Sequence, residues 1–131
     1  MAKEKSPLFL TLAEIIDIHR DQIHRHGGQQ GVRDLGLLQS AIFQPQASFA
    51  GQWLHINLFE MAAAYTFHIC QNHPFLDGNK RTALASGLVF LEMNGISIDD
   101  PEQKLLSALL SIAEGKMTKS KFATLLKEIT S

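Results

Sequence analysis

The sequence has very little cysteine and almost no net charge. Cys70 is its one cysteine in 131 residues, so no disulfide can form within the chain, and a reducing, cytoplasmic setting is expected. The formal net charge is −1, which gives no overall attraction to nucleic acid or to anionic membranes. We therefore expect no direct nucleic-acid binding, and any partner has to be recognised locally.

Long hydrophobic runs and familiar site motifs are also missing. The two most apolar segments contain or border His68, Gln71 and Glu92, so neither predicts a membrane span. The six histidines include no His-Glu-x-x-His pattern, and together with a single thiol they do not predict a zinc site. No P-loop is present, because Lys80-Arg81-Thr82 follows a helix and a loop of a different kind.

Length and hydrophobic content predict one domain. With 131 residues, 45% of them hydrophobic, the chain can bury one sizeable core. Apolar residues recur at helical spacing along most of it, so we expect an all-α fold of about six helices. The domain is expected to span residues 1–131, with residues 1–7 as a loose polar tail.

Capping signals indicate where the helices begin. Thr11-x-x-Glu14 is a capping box that opens a helix ending before Gly27-Gly28, and Asp34 starts a second helix that runs to Phe43. The apolar stripe of the first helix consists of Leu12, Ile15, Ile16, His19 and Ile23. Later helix starts are indicated at Asn57, at Asn79, in the acidic stretch 99–102 and at Thr118 or Ser120.

Two apolar segments enclose one short polar loop. Residues 58–70 and 83–93 are apolar nearly all round, so both are predicted to be buried helices. Pro74 disfavours helical geometry at His73, so the first of these helices should end just before His73. The two helices should form a buried central hairpin with the polar loop 73–82 at its turn.

The loop leads into a helix start that carries positive charge. Asn79 is a good N-cap, which leaves the backbone N–H groups of residues 78–82 free to bind an anion. Lys80 and Arg81 add two cations at the end of the helix where the macrodipole disfavours them. A bound phosphate resolves this conflict, and local conflicts of this kind tend to mark function.

The other residues of the loop each have a functional and an ordinary interpretation. His73 can take a proton from an attacking hydroxyl, or it can be a surface histidine at a helix end. Asp77 can supply the carboxylate that Mg²⁺ needs beside phosphate oxygens, or it can belong to an ordinary Asp-Gly turn. Gly78 allows a positive φ, Asn79 can bond a phosphate or cap the helix, and Phe75 should anchor the loop in the core.

The segment His73-x-Phe75-x-Asp77-Gly78-Asn79-Lys80-Arg81 resembles the signature of the Fic/Doc family, His-x-Phe-x-(Asp/Glu)-(Gly/Ala)-Asn-(Gly/Lys)-Arg. All the fixed positions are met, and the likeness extends from about Thr11 to the C-terminal helix. Lys80 stands where many Fic enzymes have a second glycine, and Leu84 where they often carry a second arginine. Both departures resemble the Doc branch, the death-on-curing toxins of toxin–antitoxin pairs.

The resemblance implies a reaction and its residues. It implies a type II toxin that transfers the γ-phosphate of ATP to a hydroxyl of translation elongation factor Tu and so arrests growth. In that reaction His73 would be the general base and Asp77 would hold Mg²⁺. Fic-type AMP transfer is the alternative, although Leu84 replaces the arginine that helps to hold the nucleotide for it. The phosphate-binding helix start would consist of Gly78, Asn79, Lys80 and Arg81.

A polar segment before the first apolar helix has two interpretations. In Fic/Doc proteins a flap at the place of residues 44–52 docks the target, which makes Ser48, Phe49 and Ala50 candidates for target contact. The other interpretation is an inert surface loop with Phe49 and Trp53 packed into the core.

The resemblance also implies a partner. Some Fic proteins inhibit themselves with a helix containing (Ser/Thr)-x-x-x-Glu-(Gly/Asn). Residues 111–115, Ser-Ile-Ala-Glu-Gly, have that spacing one residue short, and Leu84 removes the arginine with which the glutamate pairs. The resemblance therefore implies inhibition by a separate antitoxin protein, through a segment that orders on binding over an apolar groove.

A function of another class stays open at this point. Several short helices would also suit a non-enzymatic binding module, such as a helix-turn-helix DNA reader. Against that interpretation, the basic cluster lies at a helix start beside an acid and a histidine, and no exposed polar recognition helix follows it.

Overall fold

The computed structural model describes residues 6–130 of the chain. Within that range the chain forms six α-helices and one short two-stranded antiparallel sheet, which confirms the predicted all-α fold. The helices are α1 (Leu12–His26), α2 (Leu35–Phe43), α3 (Leu58–Asn72), α4 (Asn79–Met93), α5 (Lys104–Ala113) and α6 (Lys119–Glu128). The strands are β1 (Ser48–Phe49) and β2 (Gln52–Trp53), and a 3-10 turn, Gln44–Gln46, follows α2.

Helices α3 and α4 form the predicted central hairpin. In α3 every residue from Met61 to Thr66 is buried, as expected for a helix that is apolar nearly all round. A Cβ at Gly87 of α4 would collide with the Thr66 hydroxyl and with the carbonyl of Ala62, so glycine is what allows the two helices to approach this closely. The Thr66 hydroxyl donates to the carbonyl of Ala83 at 2.9 Å and ties the pair together.

The other helices cover this hairpin. Helices α2 and α6 pack on α3, helix α1 packs on α4, and α5 contacts both central helices. The N-terminal segment joins them, because the N–H of Leu10 donates to the buried hydroxyl of Tyr65 at 2.8 Å. One hydrophobic cluster includes side chains of all six helices, among them Ile15, Leu38, Ile69, Phe90, Leu109 and Phe122.

The helix starts follow the side-chain caps that the sequence indicates. Thr11 Oγ1 accepts the N–H of Glu14, and Glu14 Oε1 accepts the N–H of Thr11, so the capping box is present. Asp34, Asn57 and Thr118 each accept the backbone N–H of the residue three positions later. These three caps confirm the predicted starts of α2, α3 and α6.

The start predicted for α5 within residues 99–102 is wrong. The helix begins at Lys104, because the Asp100 carboxylate accepts the N–H groups of Lys104 and Leu105, at 2.8 and 2.9 Å. Asp100 therefore caps the helix from the preceding turn and does not belong to its first turn. The acidic residue is a valid cap signal, but it lies four residues before the first residue of the helix.

The segment predicted as a flap or an inert loop is a β-hairpin. Its turn residues, Ala50 and Gly51, both have positive φ, 52° and 78°, as a type I′ turn requires. Phe49 is 76% exposed, so the expectation that it packs into the core is wrong. Trp53 is partly covered and packs edge-on against Phe9, with 5.2 Å between ring centroids.

The tail predicted for residues 1–7 lies mostly outside the described residues, since positions 1–5 are not among them. The chain is anchored from Leu8 onward. Its N–H donates to Asn94 Oδ1 at 2.9 Å, and Asn94 Nδ2 donates to its carbonyl at 3.0 Å. None of the helices in residues 6–130 has the length and apolar character needed to cross a membrane.

Candidate active site

Helix α3 ends at His73 in a left-handed backbone conformation. Its φ and ψ are 50° and 53°, and its N–H still donates to the carbonyl of Ile69 at 3.1 Å. The predicted end of the helix is therefore confirmed, with Pro74 disfavouring a further right-handed turn. A non-glycine residue in this conformation carries strain of roughly 1–3 kcal/mol, so neighbouring contacts have to hold it there.

Arg33 supplies those contacts. Its Nε donates to the carbonyl of His73 at 2.7 Å and its Nη2 to that of Asn72 at 3.0 Å. The carbonyl of Pro74 accepts the N–H groups of Arg33 and Asp34, at 2.7 and 3.0 Å. A cation thus satisfies the carbonyls at the negative end of the α3 dipole, and the His73 side chain stays exposed.

Phe75 anchors the loop in the core, as predicted. Its side chain is fully buried, and its ring stacks nearly parallel on His19, with 3.9 Å between centroids and 6° between planes. The backbone of Phe75 forms an isolated antiparallel bridge with Val32, and the N–H of Leu76 donates to the carbonyl of Gly31 at 3.0 Å. The segment between α1 and α2 therefore lies along the loop and supports it.

The Asn79 side chain does not cap α4. It is 3% exposed, and its amide accepts the N–H of Phe75 at 2.9 Å and donates to the carbonyl of Phe75 at 3.0 Å. The residue before the first turn of α4 is Gly78, in the left-handed region with φ of 71°. The expectation that the Asn79 side chain caps α4 is wrong, because the amide instead closes the turn from Phe75 to Asn79.

The first turn of α4 presents backbone donors next to two cations. The N–H of Thr82 donates to the carbonyl of Gly78 at 3.0 Å, so the expectation that this N–H is free is also wrong. The N–H groups of residues 79–81 remain without partners inside the helix. Lys80 is exposed, and Arg81 is half-buried with its Nη2 3.3 Å from the carbonyl of Gly27. This end of α4 is strongly electropositive.

Asp77 is held at two points and is otherwise exposed. Its carboxylate Oδ2 accepts the N–H of Gln29 at 3.1 Å, and its carbonyl lies 2.8 Å from Nε2 of His19. A Cβ at Gly28 would lie 3.2 Å from this carboxylate, so the glycine allows the backbone to approach closely. Within the described part of the chain, no three His, Cys, Asp or Glu side chains gather around a possible metal position. A single exposed carboxylate suits a Mg²⁺ ion whose other ligands are phosphate oxygens and water. It does not suit a site in which the protein supplies every ligand.

A pocket of about 330 Å³ joins the predicted site residues. Leu106 and Leu110 of α5 form an apolar wall beside the loop, and they are 52% and 47% exposed. The hairpin residues Ser48, Phe49 and Ala50 do not line this pocket, but all three are exposed. From the loop, the pocket is lined by His73, Asp77, Gly78, Asn79, Lys80 and Arg81.

A second group of titratable side chains lies between α3, α6 and the segment that follows β2. Lys119 Nζ lies 3.0 Å from Nε2 of His68. Burial, then Lys119 and then His55, lowers the pKa of His68 to about 4. Burial also lowers the pKa values of His55 and Lys119. The side chain of His68 therefore stays neutral at pH 7, where it can accept a hydrogen bond from the lysine.

Sequence reasoning missed two residues that organise the loop, His19 and Arg33. His19 was visible as a histidine on the apolar stripe of α1, which signals a buried polar group that needs a partner. Nothing in the sequence distinguishes Arg33 from an ordinary surface arginine. Its partners are about forty residues away along the chain.

Comparisons with known proteins identify the same family that the sequence of the loop resembles. The model of the Fic/DOC family matches residues 9–91, which include the whole loop. The chain is 37% identical over 117 residues to "Protein kinase doc" of Escherichia phage P1, covering 88% of this chain and 90% of that protein. It is 43% identical over 72 residues to "Toxin Doc" of Mycolicibacterium smegmatis, covering 55% of each.

Proposed function

The chain belongs to the Fic/Doc family, and we propose that it is a Doc-type toxin that transfers the γ-phosphate of ATP to a protein hydroxyl group. The observation that carries the proposal is the pocket where an exposed histidine, a carboxylate and a cationic helix start meet. The relative from phage P1 is named a protein kinase, which supports phosphoryl transfer over AMP transfer. Leu84 on α4, in place of an arginine, supports it as well.

In this proposal His73 is the general base. Its ring is exposed, so a target hydroxyl can approach it from solvent, and the left-handed turn held by Arg33 sets its direction. The hydroxyl oxygen bonds to the γ-phosphorus as the bond from that phosphorus to the β,γ-bridging oxygen breaks, and His73 takes the hydroxyl proton. A well-placed base contributes about 10²–10⁴-fold to the rate of such a step.

The start of α4 binds the triphosphate. Negative charge grows at the reacting phosphoryl group and at the leaving ADP during the transfer. It is stabilised by the N–H groups of residues 79–81 and by the side chains of Lys80 and Arg81. Gly78 lets the backbone lie close to this charge, and its left-handed φ of 71° directs the chain into the helix. Asp77 holds Mg²⁺, which when bound neutralises charge on the phosphate oxygens.

The exposed hairpin is the proposed docking site for the target. Phe49 is 76% exposed at the tip beside Ser48 and Ala50, so an extended target segment can contact it without unfolding the protein. We propose elongation factor Tu as the target, which implies growth arrest through translation. The single cysteine, Cys70, is buried and unpaired, which is compatible with a reducing, cytoplasmic setting.

Inhibition is proposed to come from an antitoxin, as in a type II toxin–antitoxin system. Glu114 forms an exposed ion pair with Lys116 at 2.8 Å and is not among the residues that line the pocket, which supports an inhibitor supplied by another chain. The half-exposed Leu106 and Leu110 border the pocket, so an antitoxin segment that buries them also covers the phosphate site. Both similar proteins described above are Doc proteins, and one is named a toxin, which supports such a partner.

Labelled ATP tests the reaction. Purified wild-type protein and the His73→Ala variant are incubated with Mg²⁺, purified elongation factor Tu and ATP labelled at the γ or the α phosphorus. We expect label in the factor only from the γ position and only with wild type. Label from the α position would indicate AMP transfer instead. No label from either position, with wild type and variant equally harmless in cells, would favour a binding module.

A further inference from the structure

His19 is a polar residue in an apolar place. It lies on the stripe of α1 between Ile15 and Ile23, and it is 3% exposed. Leucine or isoleucine would bury at this position without needing a hydrogen-bond partner, whereas a buried imidazole costs free energy unless it is bonded. The hydrogen-bond partner of His19 is in the loop 73–82, since Nε2 of His19 lies 2.8 Å from the carbonyl oxygen of Asp77.

One imidazole contacts two residues of the loop and borders a third. Because a carbonyl oxygen only accepts, Nε2 has to carry the hydrogen and donate it to Asp77. The ring face stacks on Phe75 at 3.9 Å between centroids. A Cβ placed on Gly78 would lie 3.8 Å from Cδ2 of the ring, so the ring also borders the glycine. Helix α1 thus holds the loop at the residue whose carboxylate lines the pocket.

The peptide between Asp77 and Gly78 is attached to a glycine, whose backbone can rotate more freely than that of other residues. Glycine populates positive and negative φ about equally, so Gly78 by itself does little to prevent this peptide from turning over. The Asp77 carboxylate has one hydrogen bond to the N–H of Gln29, and the Asp77 carbonyl has the bond from His19. With both bonds present, the two ends of Asp77 are fixed relative to the start of α4.

We propose that His19 is a positioning residue that, by donating to the Asp77 carbonyl, keeps the Asp77 carboxylate and the first N–H groups of α4 aligned for Mg²⁺ and phosphate. The inference rests on the proposed function for its catalytic consequence. A residue that only filled space would be replaceable by any side chain of similar shape. A positioning residue is replaceable only by one that donates a hydrogen bond at the same place.

Two substitutions separate these roles. His19→Phe keeps a flat ring against Phe75 but has no N–H, whereas His19→Gln loses the ring but keeps a side-chain N–H donor. His24→Phe, at an exposed histidine of the same helix, is the matched control. Each purified variant is measured for thermal unfolding and for amide hydrogen exchange at Gln29 and Leu76, whose N–H groups are bonded to the Asp77 carboxylate and to the carbonyl of Gly31. ATP binding is measured by calorimetry at several Mg²⁺ concentrations, and γ-phosphate transfer is measured separately.

We expect His19→Phe to fold, to exchange the bonded amides of Gln29 and Leu76 at least tenfold faster, and to need several-fold more Mg²⁺ for the same ATP affinity. A displacement of about 1 Å in the binding groups costs on the order of 10²-fold in rate, so we expect kcat/KM to fall by about ten- to a hundredfold. His19→Gln should recover part of each loss, and His24→Phe should match wild type.

Unchanged exchange and Mg²⁺ dependence in His19→Phe would overturn the proposal. So would equal losses in His19→Phe and His19→Gln that follow their unfolding temperatures, because that pattern indicates packing alone. Should the phenylalanine variant fail to fold, His19→Leu replaces it as the variant without a donor. If wild type transfers no phosphate at all, the proposed function fails, while amide exchange and Mg²⁺-dependent ATP binding still decide the role of His19.

Discussion

Replacing Asn79 with alanine should destabilise the protein as much as removing a core side chain, although Asn79 belongs to the motif and lines the pocket. The Asn79 amide pairs with both backbone groups of Phe75, at 2.9 and 3.0 Å, in a place where Phe75 is fully buried and Asn79 is 3% exposed. Alanine would leave the N–H and the carbonyl of Phe75 without their partners.

The size of the effect follows from these two bonds. A buried backbone group left unpaired costs roughly 1–3 kcal/mol, so the two together cost about 2–6 kcal/mol. Because Asn79 borders the pocket, water can reach part of the vacated space, and we expect a loss of about 2–4 kcal/mol. The whole free energy of unfolding of a domain of this kind is about 5–15 kcal/mol, so the loss is a large fraction of it.

Urea unfolding followed by far-ultraviolet circular dichroism measures the loss. The matched control is Lys80→Ala at the exposed neighbouring position, which should stay within about 0.5 kcal/mol of wild type while losing phosphate transfer. Asn79→Asp keeps an acceptor for the N–H of Phe75 but places a carboxylate against its carbonyl. Its loss relative to wild type should therefore shrink as the pH falls and the carboxyl becomes a donor. An Asn79→Ala midpoint equal to that of Lys80→Ala would refute this reasoning.

Three further predictions concern the surroundings of the pocket. Arg33→Met removes two hydrogen bonds from the end of α3, so we expect the free energy of unfolding in urea to fall by about 1–2 kcal/mol and kcat to fall as well. An unchanged kcat would mean that His73 keeps its left-handed conformation without Arg33. Phe49→Ser should leave stability within about 0.5 kcal/mol and raise KM for the protein target but not for ATP, and an equal rise in both would remove the hairpin from target docking. The pKa of His68 falls from 6.5 to about 4 on folding, chiefly through burial, so its contribution to stability is fully present above pH 6.5 and is lost as the pH falls toward 4. His68→Gln should flatten that part of a pH series of urea midpoints, and an unchanged slope would contradict the shift.

The starts of α1, α2, α3 and α6 were predictable because each depends on residues close together in the sequence. Thr11 and Asp34 cap helices by bonding to an N–H three positions later, and such contacts form wherever the helix forms. The central hairpin was predictable for a similar reason, since segments that are apolar nearly all round have to be buried.

The hairpin after α2 and the role of Asn79 were not predictable in the same way. Ala50 adopts a positive φ, which alanine seldom does. The first central position of the turn therefore lacks the glycine or asparagine by which such a turn is recognised in a sequence. Asn79 is equally suited to capping a helix and to closing a turn. Asn79 closes the turn because Phe75 is buried in the core, where its backbone N–H and carbonyl need hydrogen-bond partners.

The sequence by itself determined which chemical groups belong to the site: an imidazole, a carboxylate, a flexible glycine and two cations within nine residues, next to a helix start. Tertiary structure alone decided which groups hold the loop and which are free to act. His19 and Arg33 reach the loop from 58 and 40 residues away. No local pattern encodes such bonds, because they exist only after α1 and the segment following it have packed against the central hairpin.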